Sequence, residues 1–175
     1  MIASVETLER IARFLGLVAA VLCAFIMAFV TCHIILEIIL RNVFLTSTYA
    51  LDELVGYGVG AMSVLAMAYT LREGEMIRVR ILLAHLPPLA RRIVEIACAL
   101  VCLVPVAVIA NSFAQTAVRS WREGRVSTGY LEVPMWIPEG VFAIGLFLLA
   151  FQLATYAARL AVDRDAPLYE SGPQG

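Results

Sequence analysis

Long apolar runs broken by short polar clusters organise this chain. Four runs, at about 14–40, 54–71, 93–118 and 137–158, reach the ~20 mainly apolar residues with which a helix crosses ~30 Å of hydrocarbon. They predict an all-α integral membrane protein, with one four-helix membrane domain over residues 1–162. The first run is too long for a signal-peptide core and no small-residue cleavage site follows it, so it predicts a retained helix. Ahead of it, Val5, Leu8, Ala12 and Leu15 recur at helical spacing opposite Glu6, Glu9, Arg10 and Arg13, with Ser4 placed to cap. This predicts a short interfacial amphipathic helix leading into the first span. Within 76–86, Val79, Leu82, Leu83 and Leu86 form a second apolar stripe beside Arg78 and Arg80, stopped by Pro87 and Pro88. That stripe reads either as a second interfacial helix or as an amphipathic loop. The polar stretch 163–175, with Pro167, Gly172 and Pro173, predicts a disordered tail.

Composition points the same way. The chain is 62 % hydrophobic and 15 % charged, whereas soluble domains average ~45–50 % and ~25 %. A net charge of −1 argues against nucleic acid, which requires a basic stripe to displace counterions. All 13 basic residues are arginine. Four spans put both termini on one side, together with nine arginines, against four on the other side (Arg41, Arg119, Arg122 and Arg125). Loop arginines stay cytoplasmic, so the termini and residues 72–92 are expected inside and the turns near Glu53 and Gly129 outside. Trp121 and Trp136 bracket the second outer turn at headgroup level.

Candidate chemistry is sparse. Cys23, Cys32, Cys98 and Cys102 lie in apolar runs without CxxC or zinc spacing and read as packing residues. The two histidines, His33 and His85, form no HExxH; no metal, cofactor or enzymatic activity is expected. His33, Glu37 and Arg41 follow at intervals of four on one helix face, and Glu37 lies ~6 Å of helical rise from Arg41. Glu37 reads either as half of an interfacial ion pair or as a proton-coupling carboxylate. Asp52 and Glu53 open the second span, where Gly56 and Gly60 form a GxxxG pair suited to close helix approach. Glu53 returns to the membrane level of Arg41, and an Arg41–Glu53 pair is expected to lock the first hairpin.

On the third span Asn111, Gln115, Arg119 and Arg122 share one face, for interhelical hydrogen bonding or for a substrate path. Pro134 and Pro138 introduce the fourth helix, which also carries Glu139 and Gly145. Arg119, Arg122, Arg125, Glu123 and Glu132 crowd the second outer turn, either as solvated charges or as a docking surface for a soluble protein.

Taken together, Arg41-Asn42-Val43-Phe44, Asp52-Glu53-Leu54, the run from Leu71 to Val79 and Leu86-Pro87 resemble the small membrane subunit of tripartite ATP-independent periplasmic (TRAP) transporters, the DctQ-type family. Arg41, Phe44, Glu53, Leu54, Gly74, Ile77, Val79 and Pro87 fit its pattern, and Ser127, Pro134, Trp136 and Gly145 are similar to the pattern leading into its last helix. Met76 and Arg80 depart from the usual histidine and aspartate, as do Asp52 and Ala66 from the frequent glutamate and glycine.

The resemblance implies an accessory subunit in the bacterial inner membrane, among membrane lipids. It implies a large DctM-type permease subunit that moves substrate by a sodium-driven elevator motion, and an extracytoplasmic substrate-binding protein that delivers organic acids such as carboxylates. The competing reading is a small self-contained proton-coupled four-helix transporter using Glu37. A quinone-linked disulfide oxidase is disfavoured because no cysteine lies in an outer turn.

Overall fold

The four apolar runs form α1 (Ile2–Val43), α2 (Leu51–Glu73), α3 (Pro88–Glu123) and α4 (Trp136–Val162). The computed structural model describes residues 2–73 and 87–162, so the stripe at 76–86, with Met76 and Arg80, and the tail at 163–175 lie outside the described residues. Within the helices, Arg10–Val43, Leu51–Leu71, Arg92–Glu123 and Trp136–Ala161 are long and apolar enough to cross a membrane.

Local chemistry sets several helix ends. Pro88 starts α3 at the first helical position, where its missing N–H is not needed, and Gly124 stops it with φ 61°, donating to the carbonyls of Ser120 and Trp121. Asp52 and Glu53 sit in the first turn of α2, favourably placed toward its dipole. The amphipathic segment before the first span is not a separate element. It forms the opening turns of α1, whose 42 residues run without a break for ~63 Å, about twice the hydrocarbon thickness.

The helices run alternately up and down, with α4 touching each of the other three. Its apolar window is 44 % buried, against 17 % for those of α1 and α3. Ala68 and Leu71 of α2, Ala99 of α3, and Leu149, Leu153 and Ala157 of α4 form one buried cluster near the end that carries the termini. On the same side, the Tyr156 hydroxyl donates to Glu95 at 2.7 Å and the Arg92 guanidinium donates to the Leu160 carbonyl.

α1 packs through a stripe spaced four and three: Ala12, Gly16, Ala19, Cys23, Ile26, Val30, His33 and Glu37 are all buried or half-buried, while the large apolar residues between them are mostly exposed. Spacing of this kind keeps one seam facing its neighbours. Small residues along it admit close approach, and the Gln152 amide donates to the Ala12 carbonyl at 2.7 Å. Cys23 donates to the Met62 carbonyl at 3.2 Å. Of the four cysteines, all free and expected as packing residues, Cys23 is half-buried within the chain, whereas Cys32, Cys98 and Cys102 are exposed on its surface.

The GxxxG reading requires a similar correction. Gly60 meets the Phe142 ring of α4, so a side chain there would collide with it, but Gly56 has nothing within 4 Å. The close approach to α1 is made instead by Gly58, where an added Cβ would lie 2.5 Å from Val30. Gly145 of α4 is also required, since a Cβ there would stand 2.7 Å from Val64.

Candidate functional site

At the end of the bundle opposite the termini, the α1–α2 turn and the α3–α4 turn are built around two carboxylates. Glu37 is 1 % exposed. One of its oxygens accepts from Arg41 Nε at 2.9 Å and from the Ser47 hydroxyl; the other accepts from Thr48 N–H at 3.1 Å and Thr48 Oγ1 at 2.6 Å. A carboxylate offers about four lone-pair positions, and here all are taken.

The same hydroxyls also act as acceptors, Ser47 from Tyr49 N–H at 3.1 Å and Thr48 from Ala50 N–H at 3.4 Å. This network holds a segment in which two non-glycine residues are left-handed, Leu45 at φ 52° and Tyr49 at φ 55°. Such conformations are uncommon without glycine and persist where surrounding contacts fix them.

The expected Arg41–Glu53 lock is absent. Arg41 pairs with Glu37, four residues earlier on its own helix, while its side chain stays 59 % exposed. Glu53 turns toward the other loop, where the Ser127 hydroxyl donates to it. Ser127 in turn receives bonds from the Tyr57 hydroxyl and from Gly129 N–H, each at 3.2 Å. Gly129 lies so close to the Glu53 carboxylate that a Cβ there would collide with it. The second Glu53 oxygen is buried without a hydrogen-bond partner among the described residues. Equal membrane level suggested the Arg41–Glu53 pair; a local i, i+4 partner and a serine from a distant loop compete better for the two charges.

One aromatic contact ties the two turns together and another closes the α3–α4 turn. Tyr49 stacks on Tyr130 at 4.9 Å, and Trp121 meets Trp136 edge-on at 4.7 Å. Inside the α3–α4 turn, Val126 and Pro134 form an antiparallel bridge, with Ser127 N–H to the Val133 carbonyl at 2.8 Å and Met135 N–H to the Arg125 carbonyl at 3.0 Å.

The remaining expected residues are dispersed. His33 is half-buried, stacks on Phe29 at 6.3 Å, and has its Nε2 without a hydrogen-bond partner among the described residues. Arg119 pairs with Glu123 at 3.0 Å on the surface. Arg122, Arg125 and Glu132 are exposed, Glu132 with φ 45°. Asn111 and Gln115 are exposed on the same side of α3 as Arg122, so they line no path between the helices of this chain.

Sequence reasoning missed Ser47, Thr48 and Tyr57. The available signal was the polar Thr46-Ser47-Thr48 cluster after Arg41, which offers side-chain caps to a turn. Among the described residues no group of three or more His, Cys, Asp or Glu is arranged to hold a metal ion.

No curated protein and no solved structure matches the chain. Residues 30–163, well over half of it, match the family described as tripartite ATP-independent periplasmic transporters, DctQ component. Ser127, Pro134, Trp136 and Gly145 fall inside that match and serve here as contacts of α4 and the turn before it. The chain therefore belongs to the DctQ component family of the tripartite ATP-independent periplasmic transporters, a multi-pass membrane component of a transporter and not an enzyme.

Proposed function

We propose that this chain is the accessory small subunit of a sodium-driven, binding-protein-dependent TRAP transporter that takes up organic acids such as carboxylates. It sits in the bacterial inner membrane with both termini cytoplasmic, the side that holds most arginines. It partners a large DctM-type subunit, whose mobile part carries the substrate, and an extracytoplasmic substrate-binding protein. Its own task is to enlarge the immobile part of the membrane assembly and to present a fixed surface to the binding protein.

The observation that carries this reading is the stitched loop end. Two turns that would otherwise be independent are joined by Glu53 to Ser127, Tyr57 to Ser127 and Tyr49 to Tyr130. Preformed loops bind with less ordering cost than mobile ones. Exposed Arg125 and Glu132 lie in the α3–α4 turn, with the Arg119–Glu123 pair and Arg122 on the adjoining helix end. Glu37 supports the accessory reading over a self-contained transporter, because all its acceptor positions are filled by its own turn.

Rim charges govern the on-rate of docking more than the lifetime of a complex. Reversing Arg125 to glutamate should therefore slow uptake at low binding-protein concentration, with recovery as that concentration rises. Uptake unchanged at every binding-protein concentration would remove the docking role.

A further inference from the structure

α3 carries a second repeat, on the face turned away from α4. Val101, Val104, Val108, Asn111, Gln115 and Val118 follow at alternating steps of three and four, and all are exposed. The four valines are each at least half exposed. These are the a and d positions of a coiled-coil seam, with β-branched side chains well suited to it. The opposite repeat, from Ala99 through Leu103, Val106, Ala110, Phe113 and Ala117, is buried or half-buried.

Two amides interrupt the valines. Trp121 marks the headgroup level, and Asn111, ten residues earlier on the same helix, lies ~15 Å deeper, near the middle of the hydrocarbon. Neither Asn111 nor Gln115 makes a hydrogen bond among the described residues. Exposed hydroxyls in the spans behave differently: Thr31, Ser63 and Ser112 donate to the carbonyl four residues back at 2.7–2.9 Å. An amide carries two N–H donors as well as its carbonyl oxygen, and lipid tails offer partners to none of them. Amide side chains at this depth hydrogen-bond across to a neighbouring helix.

The seam ends one turn further on at Arg122, exposed and without an ion-pair partner among the described residues. That constrains the occupant. Two copies of this chain share one membrane orientation, so their α3 helices would run parallel and set Arg122 against its own image. A different helix, carrying a carboxylate at that level, is complementary.

We propose that this α3 seam is the packing site for a transmembrane helix of the large subunit, which hydrogen-bonds Asn111 and Gln115 near the midplane and pairs a carboxylate with Arg122. This rests on the accessory-subunit reading and adds the face through which it operates. The binding-protein role then falls to Arg125 and Glu132.

The test uses the full complex in membranes. A photo-crosslinking phenylalanine analogue replaces Val104, Val108 or Gln115 in turn, or Phe25 and Ile35 on the exposed face of α1, and adducts are identified after purification through a tag on this chain. Adducts to the large subunit from the three α3 positions support the seam. Adducts from α1 alone, adducts to a second copy of this chain, or no protein adducts from α3 overturn it. If the large subunit co-purifies while α3 stays silent, only the seam fails; if it never co-purifies, the accessory reading fails with it. As a second readout, the Asn111→Leu/Gln115→Leu variant should recover about five- to tenfold less large subunit on dilution, with the yield of this chain unchanged. Thr31→Leu on α1 should recover the wild-type amount, and equal recovery by the α3 variant would contradict the proposal.

Discussion

The two turns at the loop end solve one problem by different means. The α1–α2 turn is self-contained: every partner of Glu37 lies within 11 residues of it in sequence. The α3–α4 turn depends on the rest of the fold, since Ser127 reaches Glu53 and Tyr57 across 74 and 70 residues. A carboxylate satisfied locally fixes the shape of its own hairpin, whereas one that borrows a distant serine fixes how two hairpins meet. The first is a stability element and the second a positioning element.

Removing the local hub should therefore have the largest effect. Glu37→Ala leaves the Thr48 N–H and two hydroxyls without their acceptor beside two left-handed residues, and is expected to destabilise the chain by ~3 kcal/mol. Arg41→Ala removes one donor of four from a side chain already more than half exposed, so ~1 kcal/mol is expected. Melting temperatures in detergent should rank Glu37→Ala well below Arg41→Ala. The reverse order would mean that the Arg41 charge, and not the turn network, holds the hairpin.

Next in size are changes at the joints between helices. Gly60→Ala pushes a methyl into the Phe142 ring, an overpacking of ~1–3 kcal/mol. Gly56→Ala meets open space and gains helix propensity, giving up to ~1 kcal/mol of stabilisation. Comparable losses at both glycines would restore the GxxxG reading.

The stability effect of Gly129→Ala is as small as that of Arg41→Ala, ~1 kcal/mol, but by displacing Glu53 from Ser127 it loosens the α3–α4 turn from α2. Proteolysis within 124–135 should quicken more than global unfolding does. Equal changes in both rates would show that the turn is not separately positioned.

Much of this architecture is legible in the sequence. Four apolar runs of membrane length gave the four helices, and Gly124 and Pro88 bound α3 as their chemistry demands. What failed did so for identifiable reasons. Matching Arg41 to Glu53 used depth in the membrane, which sequence supplies, but the pairing also needs azimuth around the bundle, which it does not. In the nearly uniform apolar surface of α2, spacing shows that Gly56 and Gly60 share a face without showing which part of that face is covered; Gly58 makes the contact with α1. The packing stripe of α1 is masked in the same way, because exposed Phe25 and Met27 are as apolar as half-buried Ile26 between them. Ser127 stood in the family pattern, yet its partner 74 residues away left no local mark.

The most direct measurement of the accessory role is substrate uptake into vesicles reconstituted from purified parts, with each part omitted in turn. The large subunit, this chain and the binding protein together should drive sodium-dependent uptake. Omitting any one should abolish or sharply reduce it, and this chain by itself should carry no flux under a sodium or a proton gradient. Gradient-driven flux through this chain alone would contradict the account.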